Sequence, residues 1–309
     1  SDFDVYNIPV VFHVMHLGSE IGVDENISDE QILSSVDALN EDFRKMVGTN
    51  GDGLGVDTYI QFELAKRDPD NNPTNGITRY NASNLSVFPE EGVRTSSLYP
   101  GAPTSDVLPL VIWDRDQYIN IIVVPEINGN DGGGGVQGFA YTSVPSNKSV
   151  DAVVALYNVV GTTGSIKSGN LNRIVTHEVG HHLTLEHTFG NVLNPYNSCA
   201  EADAETNCET QGDFICDTPP TMTNRFCDFP ECDGAQVENY MDYTSESCRN
   251  TFTAGQRDRM RACLQSGRSP LLSSLGCVPV VERDLVIAAL ASPGESTCTS
   301  MANPVLTIV

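Results

Sequence analysis

The feature that most constrains this chain is residues 176–187 (THEVGHHLTLEH), which hold four of its six histidines. His177 and His181 are four residues apart, so on a helix both imidazoles lie on one face, one turn apart. Two neutral imidazoles at that spacing can bind one Zn²⁺. Glu178 directly follows the first histidine, and in the pattern H-E-x-x-H the glutamate is the general base that acts on a zinc-activated water. The stretch therefore predicts a helix that carries catalytic metal ligands.

A third histidine, His187, comes ten residues after His177. A continuous helix would carry it too far along the axis to share the metal, so we expect the helix to end near Leu183 and the chain to turn back. Three protein ligands with one open position are the catalytic arrangement of zinc rather than the structural one. A helix with ordinary surface histidines is the alternative, and it suits a lone histidine pair better than this pattern.

Composition limits the class of protein and its partners. With 309 residues, of which 39% are hydrophobic, the chain can bury a large core as one or two domains. Its 41 acidic and 17 basic residues give a net charge of −24, which repels nucleic acid and anionic membranes. The sequence contains no run of about 18 apolar residues, so it predicts no membrane span. No signal peptide precedes Ser1, so we expect a processed product.

The nine cysteines all lie in the second part of the chain, and none comes before Cys199. This clustering indicates disulfide bonds that hold a loop-rich region together, and it favours an extracytoplasmic compartment. A structural zinc site is the alternative, but the sequence contains no C-x-x-C pair. Because the number is odd, one cysteine must remain unpaired, and we expect it to be Cys298.

Hydrophobic periodicity predicts an α+β arrangement. About five strands are expected, at residues 8–16, 59–65, 118–125, 138–143 and 150–157. A capping box that begins at Ser28 predicts an amphipathic helix over residues 29–47, which backs the sheet. Residues 67–110 are rich in Asp, Asn, Pro, Ser and Gly, so we expect irregular loops there. A second capping box, from Thr253 to Gln256, opens a helix near the end of the chain.

The histidine pattern resembles the long zinc-binding motif of the metzincin peptidases, H-E-x-x-H-x-x-G-x-x-H. The family glycine, which makes a sharp turn at positive φ, falls at Thr184 in this chain. Thr184 is therefore either strained, or the turn is made differently. Four further stretches narrow the resemblance: H-T-F-G from His187, D-T-P from Asp217, N-Y-M-D-Y from Asn239 and F-T-x-G-Q from Phe252. With them, residues 5–278 resemble the pappalysin family of metzincins.

The resemblance implies a fold and a division of the chain. An upper catalytic subdomain, residues 1–187, contains a twisted mixed sheet, its backing helix and the zinc helix. A lower subdomain, residues 188–280, is irregular and disulfide-rich and carries a methionine turn and a C-terminal helix. Residues 281–309 are expected to be a linker and the start of an appended β-sandwich module.

The resemblance also implies roles for single residues. Met241 matches the methionine that forms an apolar floor under the metal, although an ordinary core methionine would differ little from it physically. Tyr243 matches a tyrosine whose hydroxyl binds the oxyanion, and the alternative is a packed tyrosine. The family positions of the cysteines suggest four disulfide bonds, Cys199–Cys232, Cys227–Cys248, Cys208–Cys216 and Cys263–Cys277.

Two further expectations concern acidic residues. Carboxylates crowd the segment after His187, where family members bind Ca²⁺, and a calcium site there is as favoured as a solvated acidic loop. Its candidate ligands are Glu201, Asp203, Asp213 and Asp217. The chain just after the methionine turn walls the pocket on the leaving-group side of the scissile bond. Glu246 and Ser247 are the candidates there, and an acidic residue would favour Arg or Lys in that pocket.

The resulting function is a secreted zinc-dependent endopeptidase that acts as a monomer. Its peptide substrate would bind in extended form along the upper sheet edge, with residues 138–143 as the rim. A protein with a catalytically impaired zinc site that acts in binding or adhesion is the alternative. Thr184 favours that alternative, while Glu178 and Tyr243 disfavour it. A zinc hydrolase that does not act on peptides is a third, less favoured class.

Overall fold

The fold is built around β1 (Tyr6–His16), an eleven-residue strand buried from Ile8 to Met15. The computed structural model describes residues 3–167, 171–190, 199, 208–280, 287–290 and 306–308. The apolar run of β1 is continuous rather than alternating, as in strands of parallel sheets that are covered on both faces. The sequence therefore places β1 in the middle of a sheet rather than at its edge.

The other strands are β2 (Ile60–Leu64), β3 (Ile77–Asn81), β4 (Val93–Arg94), β5 (Ala102–Pro103), β6 (Ile119–Val124), β7 (Gly138–Phe139), β8 (Val153–Leu156), β9 (Ile287–Leu290) and β10 (Leu306–Ile308). The α-helices are α1 (Asp29–Phe43), α2 (Phe88–Glu91), α3 (Thr104–Val107), α4 (Ile174–His182) and α5 (Ala254–Gln265). Short 3-10 helices cover Leu108–Leu110, Lys148–Val150, Tyr157–Val159 and Ser269–Ser273.

The main sheet has the order β2-β1-β6-β8-β7, and β3 also pairs with β1. Along one edge of β1, β2 pairs with the first half and β3 with the second half. These pairings are parallel, as are β1–β6 and β6–β8, whereas β7 runs antiparallel to β8 at the end of the sheet. The α+β class with a mixed sheet is confirmed. The expectation of irregular loops over residues 67–110 is wrong for β3, whose polar sequence ITRYN pairs through its backbone.

Two helices, α1 and α4, contact each other and cover one face of the sheet, α1 against β2 and α4 against β7 and β8. Ser28 caps α1, because its side chain accepts a hydrogen bond from the Gln31 amide. The apolar stripe of α1 is buried through Phe43, where the helix ends, four residues before the expected end at residue 47. This packing fixes the position of α4 relative to the strands.

A buried carboxylate, Asp42, joins three parts of the molecule. It belongs to α1 and accepts hydrogen bonds from Thr176 of α4 (2.7 Å), from the Tyr240 hydroxyl (2.7 Å) and from the Arg173 Nε (3.0 Å). Burial of Asp42 raises its pKa to about 6, while Arg173 opposes that rise. These contacts hold the backing helix, α4 and residues 239–243 in one arrangement.

A second buried carboxylate, Asp151, precedes β8 and accepts a two-pronged ion pair from Arg268, at 2.8 and 2.9 Å. Arg115 donates to the same carboxylate at 2.7 Å. The Nε of Arg268 also donates to the carbonyl of His182 (2.9 Å), the last residue of α4. The C-terminal end of α4 is thereby joined to the sheet and to the chain after α5.

The described part of the lower region contains three disulfide bonds, Cys199–Cys232, Cys208–Cys216 and Cys227–Cys248. Each joins a pair expected from the resemblance. The expected bond between Cys263 and Cys277 is wrong, because both cysteines are free. The thiol of Cys263 faces Thr184 and Arg268, whereas Cys277 lies near Glu63 and Lys66 at β2, so the fold holds the two apart. Cys298 lies outside the described residues.

The end of the chain contributes an antiparallel pair of strands, β9 and β10. The division into residues 1–187, 188–280 and 281–309 stays a prediction. Among the residues that the structure describes, no helix has the length and apolar character needed to cross a membrane.

Candidate metal centre

The first element of the site is α4, which carries His177, Glu178 and His181. The Glu246 carboxylate accepts a hydrogen bond from the Arg173 amide, at the residue that begins the helix. A carboxylate at this end accepts a hydrogen bond from a backbone N–H that has no partner within the helix, and its negative charge interacts favourably with the helix dipole. Glu246 is buried and does not line the cleft around the histidines, nor does Ser247. The structure therefore does not support their expected place in a specificity pocket.

The second element is the turn that brings His187 back. The helix ends at His182, and Thr184 has φ 72°, in the left-handed region that penalises a β-branched residue. The turn is therefore made with the backbone that a glycine would adopt, and Thr184 is strained. The Leu185 amide donates to the Gly180 carbonyl (3.0 Å), and Arg259 Nε donates to the Thr184 carbonyl (2.7 Å). These bonds hold the strained residue in place.

The three imidazoles of His177, His181 and His187 converge on one point. Their Nε2 atoms are 3.0 Å apart in two pairs and 3.3 Å apart between His177 and His187. Nδ1 of His177 is 2.7 Å from the Tyr240 carbonyl, and Nδ1 of His181 is 2.7 Å from the Leu185 carbonyl. Because a carbonyl only accepts, both Nδ1 atoms carry the proton, and both Nε2 lone pairs point inward.

This arrangement fits a metal ion. Lone pairs that face one another repel unless a cation lies between them. Tetrahedral Zn²⁺ with Zn–N distances of about 2.0–2.1 Å separates its ligand nitrogens by roughly 3.3–3.4 Å, close to the spacing here. A metal site needs at least three His, Cys, Asp or Glu side chains close together, and among the described residues these three histidines form such a group.

Burial keeps these histidines neutral, which is the form that binds a metal. It lowers the pKa of His181 to about 4 and that of His187 to about 2, and it lowers the pKa of His177 well below its ordinary value. The mutual repulsion of His177, His181 and His187 acts in the same direction for His177 and His187. The ligand set is therefore deprotonated at neutral pH without help from a metal.

Glu178 lies beside the histidines, and its side chain is buried but lines the same cleft. Burial raises the pKa of its carboxyl to about 8, and the positive charge of Arg249 opposes that rise. The strand β7 passes directly over it. A Cβ on Gly138 would lie 2.9 Å from the Glu178 Cγ and 2.8 Å from the Ile174 Cγ2, so glycine is needed for this close approach.

Met241 forms an apolar floor under α4. It is fully buried, and a Cβ on Gly180 would lie 2.5 Å from its Sδ. The Asn239 Oδ1 accepts a hydrogen bond from the Met241 amide (2.9 Å), while the side chains of Asn239 and Gln256 exchange two hydrogen bonds of 3.0 Å. Gln256, in the first turn of α5, thus fixes the turn that contains Met241.

Tyr243 follows two residues later and packs edge-on against His187, with ring centroids 4.6 Å apart. Phe189 stacks on His187 at 4.7 Å and also packs edge-on against Tyr243 at 4.9 Å. Tyr243 is half exposed and its ring lines the cleft, and burial raises the pKa of its phenol. Its hydroxyl is therefore protonated at neutral pH and is able to donate a hydrogen bond.

The cleft over the histidines has a volume of about 970 Å³. Residues 135–140, which include β7, form one wall, and α4 with Tyr243 forms the floor and the opposite side. Two arginines that the sequence analysis did not single out, Arg225 and Arg249, also line it. No local pattern indicates Arg249. Its position directly after Cys248 is the one available signal, since the resemblance places a pocket wall there.

The candidate calcium ligands are not brought together in the described part of the chain. Asp217 caps α5, because its carboxylate accepts from the Gly255 amide (2.8 Å) and from the Thr253 hydroxyl (2.7 Å). Asp213 is buried and accepts from the Thr218 hydroxyl (2.7 Å) and the Ile215 amide (3.1 Å). Glu201 and Asp203 lie outside the described residues.

Comparisons with known proteins agree with this site. The family profile described as "Pregnancy-associated plasma protein-A", a peptidase family, matches residues 103–265. An extracellular metalloprotease of Arthroderma otae is 26% identical over 260 residues, which cover 80% of this chain and 75% of that protein. Extracellular metalloprotease 1 of Coccidioides posadasii is 31% identical over 148 residues, which cover 44% and 48% of the two chains.

A solved structure is also similar. Mature mirolysin of Tannerella forsythia, in complex with a cleaved peptide, superposes with a TM-score of 0.67 at 30% identity. The superposition covers 89% of this chain and 96% of the mirolysin chain. The similarity therefore extends over both the sheet and the lower region.

Proposed function

Since the chain belongs to the pappalysin family and is a metalloendopeptidase, we propose that its metal is Zn²⁺ and that His177, His181 and His187 bind it. The observation that carries this proposal is the convergence of three Nε2 lone pairs at 3.0–3.3 Å, with two Nδ1 protons directed to backbone carbonyls. When bound, such an ion supplies Lewis-acid chemistry, polarising a carbonyl and acidifying water.

Glu178 is proposed as the general base. Its carboxyl faces the cleft, and a group with a pKa near the working pH both accepts and releases a proton readily. It takes a proton from the attacking water and delivers it to the nitrogen of the leaving amine. Its side chain is buried and lies directly under Gly138 of β7.

Tyr243 is proposed to stabilise the oxyanion of the substrate. Its ring packs edge-on against both His187 and Phe189, and these contacts would position the hydroxyl before the substrate arrives. A preorganised donor of this kind lowers the barrier without reorganisation during the reaction. Met241 supports the histidines from below and does not contact the substrate.

The substrate is proposed to be an extended peptide that adds to β7. This strand is the last of the main sheet, and within the described residues only β8 pairs with it. Backbone hydrogen bonds to such an edge hold a peptide of any sequence in register. Gly138 of β7 lies close to Glu178, and this contact supports a binding mode in which the scissile bond of that peptide would lie over the histidines.

The protein is proposed to be secreted and to act as a monomer. Its relatives are named extracellular, and its three disulfide bonds suit an oxidising compartment.

A calcium site in the acidic segment after His187 is a separate proposal. It rests on the density of carboxylates in the sequence, with Glu201 and Asp203 as the candidate ligands that have no other assignment. Added Ca²⁺ should raise the melting temperature of the zinc-loaded protein. An unchanged melting temperature would rule the site out.

The test of the main proposal is Glu178→Ala, with Glu178→Gln as the isosteric variant. Both should keep one equivalent of zinc by metal analysis, and both should lose about 10²–10⁴-fold in peptide hydrolysis, the range for a general base. Glu90→Gln, at an exposed glutamate of α2, is the matched control and should retain full activity. A Glu178 variant with wild-type activity, or a zinc-free wild type with full activity, would overturn the assignment. Zinc binding without hydrolysis in the wild type would instead support the binding-protein alternative.

A further inference from the structure

Arg249 is a buried arginine in the wall of the cleft. Its exposed fraction is only 6%, yet it lines the same space as His177, Glu178 and Tyr243. Its Nε and Nη2 both donate to the carbonyl of Thr244, at 2.9 and 2.6 Å. The guanidinium is therefore held rigidly by the turn that follows Tyr243, and its remaining nitrogen, Nη1, takes no part in those bonds.

The charge of Arg249 has no direct partner. Within the part of the chain that the structure describes, no carboxylate oxygen lies within 4.0 Å of its guanidinium. Each of the other deeply buried arginines has a charged or an aromatic partner. Arg173 pairs with Asp42, Arg268 pairs with Asp151, and Arg261 lies over the ring of Tyr6 at 3.9 Å.

The acidic groups nearest to Arg249 are already engaged. Glu246 accepts from the Arg173 amide, and Asp242 accepts from Asn224 and from the Tyr243 amide. The charges of Glu246, Asp242 and Glu178 attract Arg249, that of Glu246 most, but none of these carboxylates forms a direct ion pair with it. A buried charge without a direct ion pair is costly, and a ligand carboxylate that bonds to Nη1 would supply that ion pair.

We propose that Arg249 is a specificity-determining residue that binds a carboxylate of the substrate, namely a Glu or Asp side chain next to the scissile bond on its leaving-group side. The inference rests on the proposed peptidase function. Arg249 is anchored to Thr244, in the wall expected to border the leaving-group pocket, and Nη1 is the donor left for an incoming carboxylate. Arg225, exposed at the same cleft, adds charge of the same sign.

This preference is opposite to the one expected from Glu246. The resemblance implies a pocket that favours Arg or Lys, but the Glu246 carboxylate points to the start of α4. A basic side chain in the pocket would instead meet the unpaired guanidinium of Arg249. A buried site built to bind one charge strongly rejects the opposite charge, because the two like charges are both desolvated.

The test uses the zinc-loaded wild type and peptides that differ only at the residue after the scissile bond. We expect kcat/KM for Glu to exceed that for isosteric Gln by about 10- to 100-fold, the range for a hydrogen bond to a charged group. Lys should be cut more slowly than Gln. Mass spectrometry of the fragments fixes the position of the cut. A Glu to Gln ratio near one, or a preference for Lys, would overturn the proposal.

A further peptide distinguishes the two sources of the carboxylate. It ends with Gln directly after the scissile bond, so that its only nearby carboxylate is the chain terminus. Faster cleavage of this peptide than of the internal Glu peptide would overturn the side-chain assignment in favour of a terminal carboxylate. Slower cleavage supports the side chain.

Variants then assign the effect to Arg249. Arg249→Met keeps the length of the side chain and should reduce the Glu to Gln ratio to near one. Arg225→Met makes the same charge change at an exposed position of the same cleft and should reduce the ratio only slightly, because solvent screens exposed charges. If Arg249→Met does not fold, the wild-type ratios alone decide the question. If the wild-type protein cuts none of the peptides, the proposed function is wrong. If it cuts them without a charge preference, only the proposed role of Arg249 is wrong.

Discussion

The contact between Gly180 and Met241 makes a quantitative prediction about the floor of the site. Gly180 lies in α4, and its substitution by Ala would place a methyl group 2.5 Å from the Met241 Sδ and 3.2 Å from its Cε. Ordinary contact requires roughly 3.5–4.0 Å, so the Met241 side chain must move by about 1 Å in a fully buried space. Such overpacking costs about 1–3 kcal/mol of the free energy of unfolding.

Helix propensity acts in the other direction. Replacing a helical Gly by Ala stabilises a helix by about 0.8–1.0 kcal/mol. In the wild-type background, Gly180→Ala should therefore range from neutral to about 2 kcal/mol destabilising. In a Met241→Ala background the steric clash is absent, and the same change should stabilise by about 1 kcal/mol. The Met241→Ala change alone should cost about 2–5 kcal/mol.

The assay is urea unfolding of the four proteins at one fixed excess of Zn²⁺, because bound metal adds to the apparent stability. The coupling free energy of the cycle should be about 1–3 kcal/mol. Metal analysis checks that all four proteins are loaded. If Gly180→Ala stabilises both backgrounds equally, Met241 does not lie against α4, and the floor assignment is wrong.

Three further perturbations test other parts of the structure. Thr184→Gly should raise the free energy of unfolding by about 0.5–1 kcal/mol, because relief of left-handed strain exceeds the entropy cost of glycine, and a lower melting temperature would contradict this. Glu246→Gln should cost about 1 kcal/mol by weakening the start of α4, with cleavage profiles unchanged, and an altered profile would return Glu246 to the pocket. His13 is buried, and burial lowers its pKa to about 4, so acid stabilises the unfolded state. The contribution of neutral His13 to the free energy of unfolding is complete above pH 6.5, and it falls by about 3 kcal/mol as the pH drops to 4. The pH dependence of unfolding for His13→Gln should lack that loss, and an identical pH profile would refute it.

Patterns within a few residues of each other determined much of this protein. Capping boxes at Ser28 and Thr253 located the starts of α1 and α5, because each cap bonds amides of its own first turn. The spacing of His177, His181 and His187 required a helix that ends before residue 187, and α4 ends at His182. Local geometry was sufficient in these cases because the interacting groups are close along the chain.

Contacts between distant parts of the chain decided the rest. The sequence ITRYN carries no apolar alternation, yet β3 forms because β1 offers an unpaired backbone edge beyond β2. Cys263 and Cys277 remain unpaired because α5 and β2 hold them against different neighbours. Neither outcome has a signal in the residues nearby.

The charged residues show the same division most clearly. Glu246 and Arg249 are three positions apart, and the sequence alone singled out Glu246, which does not line the cleft, and passed over Arg249, which does. Tertiary packing turns the Glu246 carboxylate to the start of α4, 73 residues away in sequence, and leaves Arg249 at the cleft. The energy of a charge depends on burial and on the groups that the fold brings beside it, so only the tertiary structure could decide which of the two charged residues lines the cleft.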